Sequence, residues 1–238
     1  MRKRRLFTRR RFWYLLDMNI KRVIVISVSA LLGAVVLAVA IPFTVLAVRT
    51  SSIKNDYAYL IEDAKYKTAV EVEGLEHVTQ EISCGYATIE MMSAFYGERV
   101  SEETLSERNN GAITTSSSSG FLDEINKTIN DKEFKKSSYL KNDELLKEIH
   151  DSLSSNNPVA IEWAAKYKDE WTLHFSVISA LDLEGDNIVV YNPYGYIENL
   201  PIDTFIGRST FEAYKDMPLF LNFGFAFGAF EKNTIFHV

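Results

Sequence analysis

Twenty-six consecutive residues without a charge, Val23 to Val48 (VIVISVSALLGAVVLAVAIPFTVLAV), constrain this chain more than any other stretch. A helix that spans a bilayer needs about 20 apolar residues, and the run exceeds that. Pro42 lies near its far end, where a kink is tolerated. Nine basic residues between Arg2 and Arg22 precede the run against one acid, Asp17, and Arg49 is the only positive charge close behind it. The positive-inside rule then predicts a cytoplasmic N-terminus and a remainder outside the cell. A cleavable signal peptide is the competing reading, with a loose small-residue site at Val45-Leu46-Ala47. Signal h-regions run to about 7–15 residues, so the length favours an uncleaved signal anchor.

The sequence therefore divides into a basic tail (1–22), a transmembrane signal anchor (23–48), a stalk (49–68) and one folded domain (69–238). Charge follows the same division. The whole chain carries 26 Lys and Arg against 32 Asp and Glu, and the part beyond residue 22 has a net charge of about −14. An acidic domain is a poor partner for nucleic acid or anionic lipid, so no nucleic-acid partner is expected. One cysteine, Cys84, rules out an internal disulfide. A lone thiol in an exported protein calls for a reason, and catalysis is one.

Cys84 follows Ser83, an N-cap candidate, and opens a stretch with apolar residues at helical spacing: Cys84, Ala87, Met91 and Ala94/Phe95. Gly97 is placed to cap the helix C-terminus. A thiol at a helix N-terminus meets the positive end of the dipole and ionises more easily. The alternative is a small buried hydrophobe on the core face of an amphipathic helix. Further along, 114–120 (TTSSSSG) reads as a polar surface loop leading into a helix over 121–129. Residues 142–153 read as an amphipathic helix with Leu145, Leu146, Ile149 and Leu153 inward. Strand patterns follow at 159–163, 173–181, 188–192 and 196–200, with a turn at 182–187. Residues 203–214 are expected to include a helix, and 220–230 (FLNFGFAFGAF) to form a strand with one bulky face. Helices first and an antiparallel sheet after them give the α+β class.

A thiol nucleophile needs a base, and the base needs an orienter. Of the four histidines, His77 is too close to Cys84 in sequence to be an easy partner. His150 is placed on the exposed side of its helix, and His237 is the penultimate residue. His174 opens a long apolar strand. The turn at 182–187 folds the 188–192 strand back beside it and brings Asn192 within a few residues of His174. A core histidine and a turn asparagine before Pro193 are the alternatives for these two.

With these residues in place, the sequence resembles the papain-like cysteine peptidases, and more narrowly the bacterial branch related to the double-glycine-leader peptidases that process bacteriocins. The matching residues are Gln80, Cys84-Gly85-Tyr86-Ala87, Phe95-Tyr96-Gly97, 173–178 (LHFSVI) and 189–195 (VVYNPYG); 156–161 looks like the family's strand before the histidine. The resemblance implies the papain-like fold for 69–238 and a thiolate–imidazolium pair formed by Cys84 and His174. Asn192 would orient the imidazole, and Gln80 would complete an oxyanion hole with the Cys84 amide. Gln80 stands closer to the cysteine than the family's glutamine usually does, and Tyr86 stands where a proline often follows Cys-Gly. The implied partner is a peptide or protein substrate, cleaved outside the cell. Two alternatives stay open: an inactive papain-like module that binds peptides or proteins, and a thiol transpeptidase or amidase acting on cell-wall peptides. The sequence has no HExxH, no Cys/His cluster and no calcium-loop spacing, so neither metal nor cofactor is expected.

Overall fold

The computed structural model describes residues 2–51, 53, 56–211 and 219–238, with the backbone alone for 2–21. The chain separates into two compact units, Met1–Val45 and Leu46–Val238. The first is part of one helix, α1 (Arg2–Thr50), which contains Pro42. Within it, Arg22–Thr50 (29 residues, with an 18-residue stretch of mean hydropathy 2.8) is long and apolar enough to cross a membrane.

The second unit is α+β. Its helices are α2 (Cys84–Phe95), α3 (Glu102–Arg108), α4 (Ser118–Thr128), α5 (Asn142–Ser154), α6 (Ile202–Ser209) and α7 (Leu219–Ala226). Its strands are β1 (Val70–Glu71), β2 (Lys135–Ser137), β3 (Val159–Tyr167), β4 (Glu170–Asp182), β5 (Asn187–Asn192), β6 (Tyr196–Leu200) and β7 (Thr234–His237). They form one antiparallel sheet in the order β2-β7-β3-β4-β5-β6, with β1 added on β4. β3 and β4 are a long hairpin in which Trp163 pairs with His174 and Glu162 with Phe175. The β4–β5 hairpin turns at 183–186, where the Gly185 amide donates to Asp182 Oδ1 at 2.8 Å and Asp186 takes a left-handed φ of 50°.

Both sheet faces are covered. Ile161, Trp163 and Ile178 pack with the α5 residues Leu145, Leu146 and Ile149 and the α6 residue Phe205. The alternate positions Ala160, Phe175 and Val177 pack with α2 residues such as Tyr86 and Met91 and the α4 residue Phe121. This is the period-2 alternation of a strand buried on both sides.

Several local expectations need correction. α2 is buried all round from Gly85 to Ser93 rather than on one face, because β4, α3 and α4 enclose it. α4 begins inside the serine tract: Ser117 is its N-cap and accepts from the Gly120 amide. His150 is buried, 3% exposed, and its Nε2–H donates to Thr68 O at 3.0 Å. The 220–230 strand is absent; α7 occupies 219–226, burying Leu221 and Phe225 at i, i+4 spacing. The helix expected over 203–214 is α6, and residues 212–214 lie outside the described ones. The 49–68 segment carries a short 3-10 turn, Ala58–Glu62, whose Leu60 is fully buried in the α5 core.

Candidate active site

Cys84 is the first residue of α2. The Ser83 side chain caps the helix by accepting from the Tyr86 amide at 3.2 Å. The lead-in is held by one carboxylate: Glu102 accepts from the amides of Glu81 (2.8 Å), Ile82 (3.0 Å) and Ser83 (2.8 Å). Gly85 is required by space, since a Cβ there would lie 2.2 Å from Thr115 Oγ1. The Tyr86 hydroxyl donates to Ala112 O at 2.6 Å and accepts from the Thr114 amide at 3.2 Å. These contacts fix the 112–116 loop against the start of α2.

Cys84 is half-buried as a residue and lines a cleft of about 430 Å³ whose other walls include Thr115, Trp171, Leu173, Phe175, Leu221 and Phe230. Burial pushes the Cys84 thiol up to about 11. The backbone amides of Phe175, Gly85 and Cys84 itself pull the other way, and the negative charge of Glu162 adds to the rise. The helix-terminus effect expected from the sequence is thus outweighed by desolvation.

His174 is fully buried, and its neighbours in sequence, Leu173 and Phe175, belong to that wall. Its Nε2–H donates to Asn192 Oδ1 at 2.8 Å, and its Nδ1 is buried with no hydrogen-bond partner, the Cys84 thiol included. Tyr194 stacks on the ring, with centroids 3.8 Å apart and planes 24° from parallel. Burial pulls the imidazole down to about 3 against the opposing effect of Asn192, and the charge of Arg208 lowers it further. Thiol and imidazole therefore rest neutral in this conformation, where the resemblance implied an ion pair. Two groups withdrawn from water and not yet joined have nothing to offset the cost of charging them.

Asn192 ends β5. Its Oδ1 also accepts from the Tyr194 amide (2.9 Å), its Nδ2 donates to Glu198 Oε1 (2.7 Å), and its carbonyl accepts from His77 Nε2–H (2.8 Å). Gln80 lies beside this group: its amide donates to Pro193 O at 2.8 Å, and its Oε1 is buried without a partner. So the fold joins His174 to Asn192, sets Gln80 next to Pro193, and brings Cys84 to the residue after His174 without a Cys–His hydrogen bond. Sequence reasoning missed Glu198, Arg208, Glu102 and the contact of His77. These are polar residues far apart in the chain with no periodicity to reveal them. Among the described residues, no group of three or more His, Cys, Asp or Glu is placed to hold a metal ion.

A helix-initial cysteine packed on an antiparallel sheet that carries a histidine is the architecture of the papain-like cysteine peptidases. The chain belongs to the Peptidase_C39 like family, whose model matches residues 72–217. Family membership makes it a cysteine-peptidase-type domain with a peptide-binding site. No curated protein matches the sequence. Solved structures that resemble it include a putative C39-like peptidase from Bacillus anthracis (12% identity, TM-score 0.46, 72% of this chain and 98% of that one). A double glycine motif protease from an AMS/PCAT transporter, in complex with the leader peptide, is similar at 16% identity and TM-score 0.41 over 57% of this chain and 89% of that one. The peptidase domain of Streptococcus ComA is similar at 18% identity and TM-score 0.40, over 57% and 92%.

Proposed function

We propose that this protein is a membrane-anchored cysteine peptidase that hydrolyses peptide bonds outside the cell through Cys84, His174 and Asn192. The observation that carries the reading is the state of His174. Its Nε2–H is committed to Asn192 Oδ1, its Nδ1 is a buried lone pair without a donor, and its chain neighbours Leu173 and Phe175 line the cleft with Cys84. That nitrogen can take the thiol proton. Catalytic hydrogen bonds are often long in ligand-free enzymes and tighten with substrate.

Cys84 Sγ attacks the scissile carbonyl while His174 Nδ1 takes its proton. The oxyanion that forms is met by the Cys84 amide and the Gln80 side chain. His174 then gives the proton to the leaving amine, which departs and leaves a thioester on Cys84. Water, deprotonated by the same nitrogen, cleaves the thioester and restores the thiol. Charging both partners in one step lets each new charge stabilise the other, which a neutral resting pair requires.

The test is alkylation of the full-length chain in detergent with iodoacetamide, read at Cys84 by intact mass. The wild type is expected to react at pH 6–7 at least about ten-fold faster than His174→Ala, the size of effect one lost charge-assisted hydrogen bond gives. Equal rates, or a wild-type rate that rises only with an ordinary thiol, would make Cys84 a structural residue and remove the peptidase reading.

A further inference from the structure

Behind Asn192 stands a second layer of charge. Glu198 on β6 accepts from Asn192 Nδ2 at 2.7 Å and is gripped at both oxygens by Arg208 of α6, at 2.6 and 3.1 Å. Arg208 is itself nearly buried. It donates from Nε to Ala164 O at 2.7 Å, and its guanidinium lies 3.6 Å over the Trp163 ring. So the carboxylate is pinned to β3 as well as to its own strand.

This arrangement decides which way the Asn192 amide faces. An ionised carboxylate can only accept, so Nδ2, the donor end, must face Glu198. The Tyr194 amide can only donate, so Oδ1 must face Tyr194 and with it His174. An oxygen opposite Nε2 requires the proton to be on Nε2, and a neutral imidazole has only one. Nδ1 is then left bare. We infer that Glu198, clamped by Arg208, is a positioning residue that sets the Asn192 amide and through it the His174 tautomer that can accept the Cys84 proton. It touches neither the sulfur nor the cleft.

The inference explains why an amide stands at 192. Aspartate there would also accept from His174, but it would put a carboxylate 2.7 Å from Glu198. The pairing is therefore reciprocal: one of positions 192 and 198 must donate to the other. Asn192→Asp should fail with Glu198 present, and Glu198→Gln in the same chain should restore it, because the glutamine Nε2 can then donate to the carboxylate placed at position 192 while its carbonyl keeps the shorter contact, with Arg208 Nη1, and gives up the one with Nη2.

The experiment uses the full-length chain in detergent, labelled with 15N-histidine. It compares the wild type, Glu198→Gln, Asn192→Asp and the double variant Asn192→Asp/Glu198→Gln. Glu198→Gln keeps a carbonyl for Asn192 and is the variant least expected to unfold. Two readouts are taken: the His174 tautomer by imidazole 15N shifts, and Cys84 alkylation at pH 6. The wild type should show a single population with hydrogen on Nε2. Asn192→Asp, its carboxylate driven away from Glu198 and so out of reach of His174, should lose that population and slow alkylation by about ten-fold, and the double variant should recover both. A double variant no better than Asn192→Asp, or an Asn192→Asp tautomer like the wild type's, would overturn the inference. It rests on the proposed Cys84–His174–Asn192 reading for its purpose, yet the two fail separately. A wild-type rate equal to His174→Ala would sink the peptidase reading, whereas the tautomer pattern tests Glu198 whatever Cys84 does.

Discussion

At the scale of the residue, the least obvious group in the domain is Glu162. It is a fully buried carboxyl on β3 whose Oε2 accepts from Ser118 Oγ at 2.6 Å and whose Oε1 has no partner. Burial drives its pKa up to about 8 against the help of Ser118. The folded state therefore holds a proton that the unfolded chain releases near 4.5. Stability from this group is full below about pH 4.5 and is lost as pH rises towards 8. His174 acts in the opposite sense, from its ordinary 6.5 down to about 3, so between about pH 6.5 and 8 the slope from Glu162 stands clear of it. The wild type should lose roughly 1.5 kcal/mol over that window, measured by urea midpoint in the full chain. Glu162→Gln, neutral at every pH, should flatten the curve; an unchanged slope in the variant would mean that Glu162 ionises normally. Cys84, His174 and Asn192 could be proposed from the sequence because their order and flanking patterns single them out. Glu162 could not, because a glutamate between Ile161 and Trp163 reads as the solvent side of a strand. Only the second helical layer, α4 with Ser118, makes that side interior.

At the scale of the element, the question is how the start of α2 is held. Glu102 ties down three successive amides ahead of Cys84, and its own amide donates to Glu90 Oε2 at 2.9 Å. On the other side Gly85 meets Thr115 with no room for a methyl group. Gly85→Ala should destabilise the domain by about 1–3 kcal/mol through overpacking. Thr115→Gly in the same chain should return much of the loss, giving a coupling of about 1 kcal/mol or more in a double-mutant cycle. Additive effects would mean that the close approach is not what selects glycine there. The strands around this helix were legible because β3, β4, β5 and β6 carry β-branched and aromatic residues between clear turn signals. α7 was not: Phe at 223, 225 and 227 alternates with small residues as a strand would, while the helical pair Leu221 and Phe225 hides in the same letters. β2 escaped because a three-residue charged edge strand exists only through its pairing with β7.

At the scale of the whole molecule, the sequence contrasts a basic tail, an uncharged run and an acidic domain, and the structure adds a continuous helix over all of the run. At 1.5 Å per residue, the 29 residues Arg22–Thr50 rise about 43 Å, more than the hydrocarbon thickness of about 30 Å. The span is thus long enough to cross with residues to spare at the interfaces. Nothing in the helix itself sets its direction; that falls to the nine basic residues on one side against Arg49 on the other. The bias favours keeping the tail in the cytoplasm, which would expose the domain and its cleft to the outside. Because Cys84 is the only cysteine, orientation can be read with single-cysteine reporters in a Cys84→Ala background. Glu184→Cys, on the exposed β4–β5 turn, should react with a membrane-impermeant maleimide in intact cells, and Thr8→Cys only after lysis. The reverse pattern would place the domain in the cytoplasm and end the proposal of an extracellular peptidase. Intact mass of the membrane fraction answers the companion question: a species that retains Thr8 supports an anchor, whereas one that begins after Ala47 means a cleaved signal and a released domain.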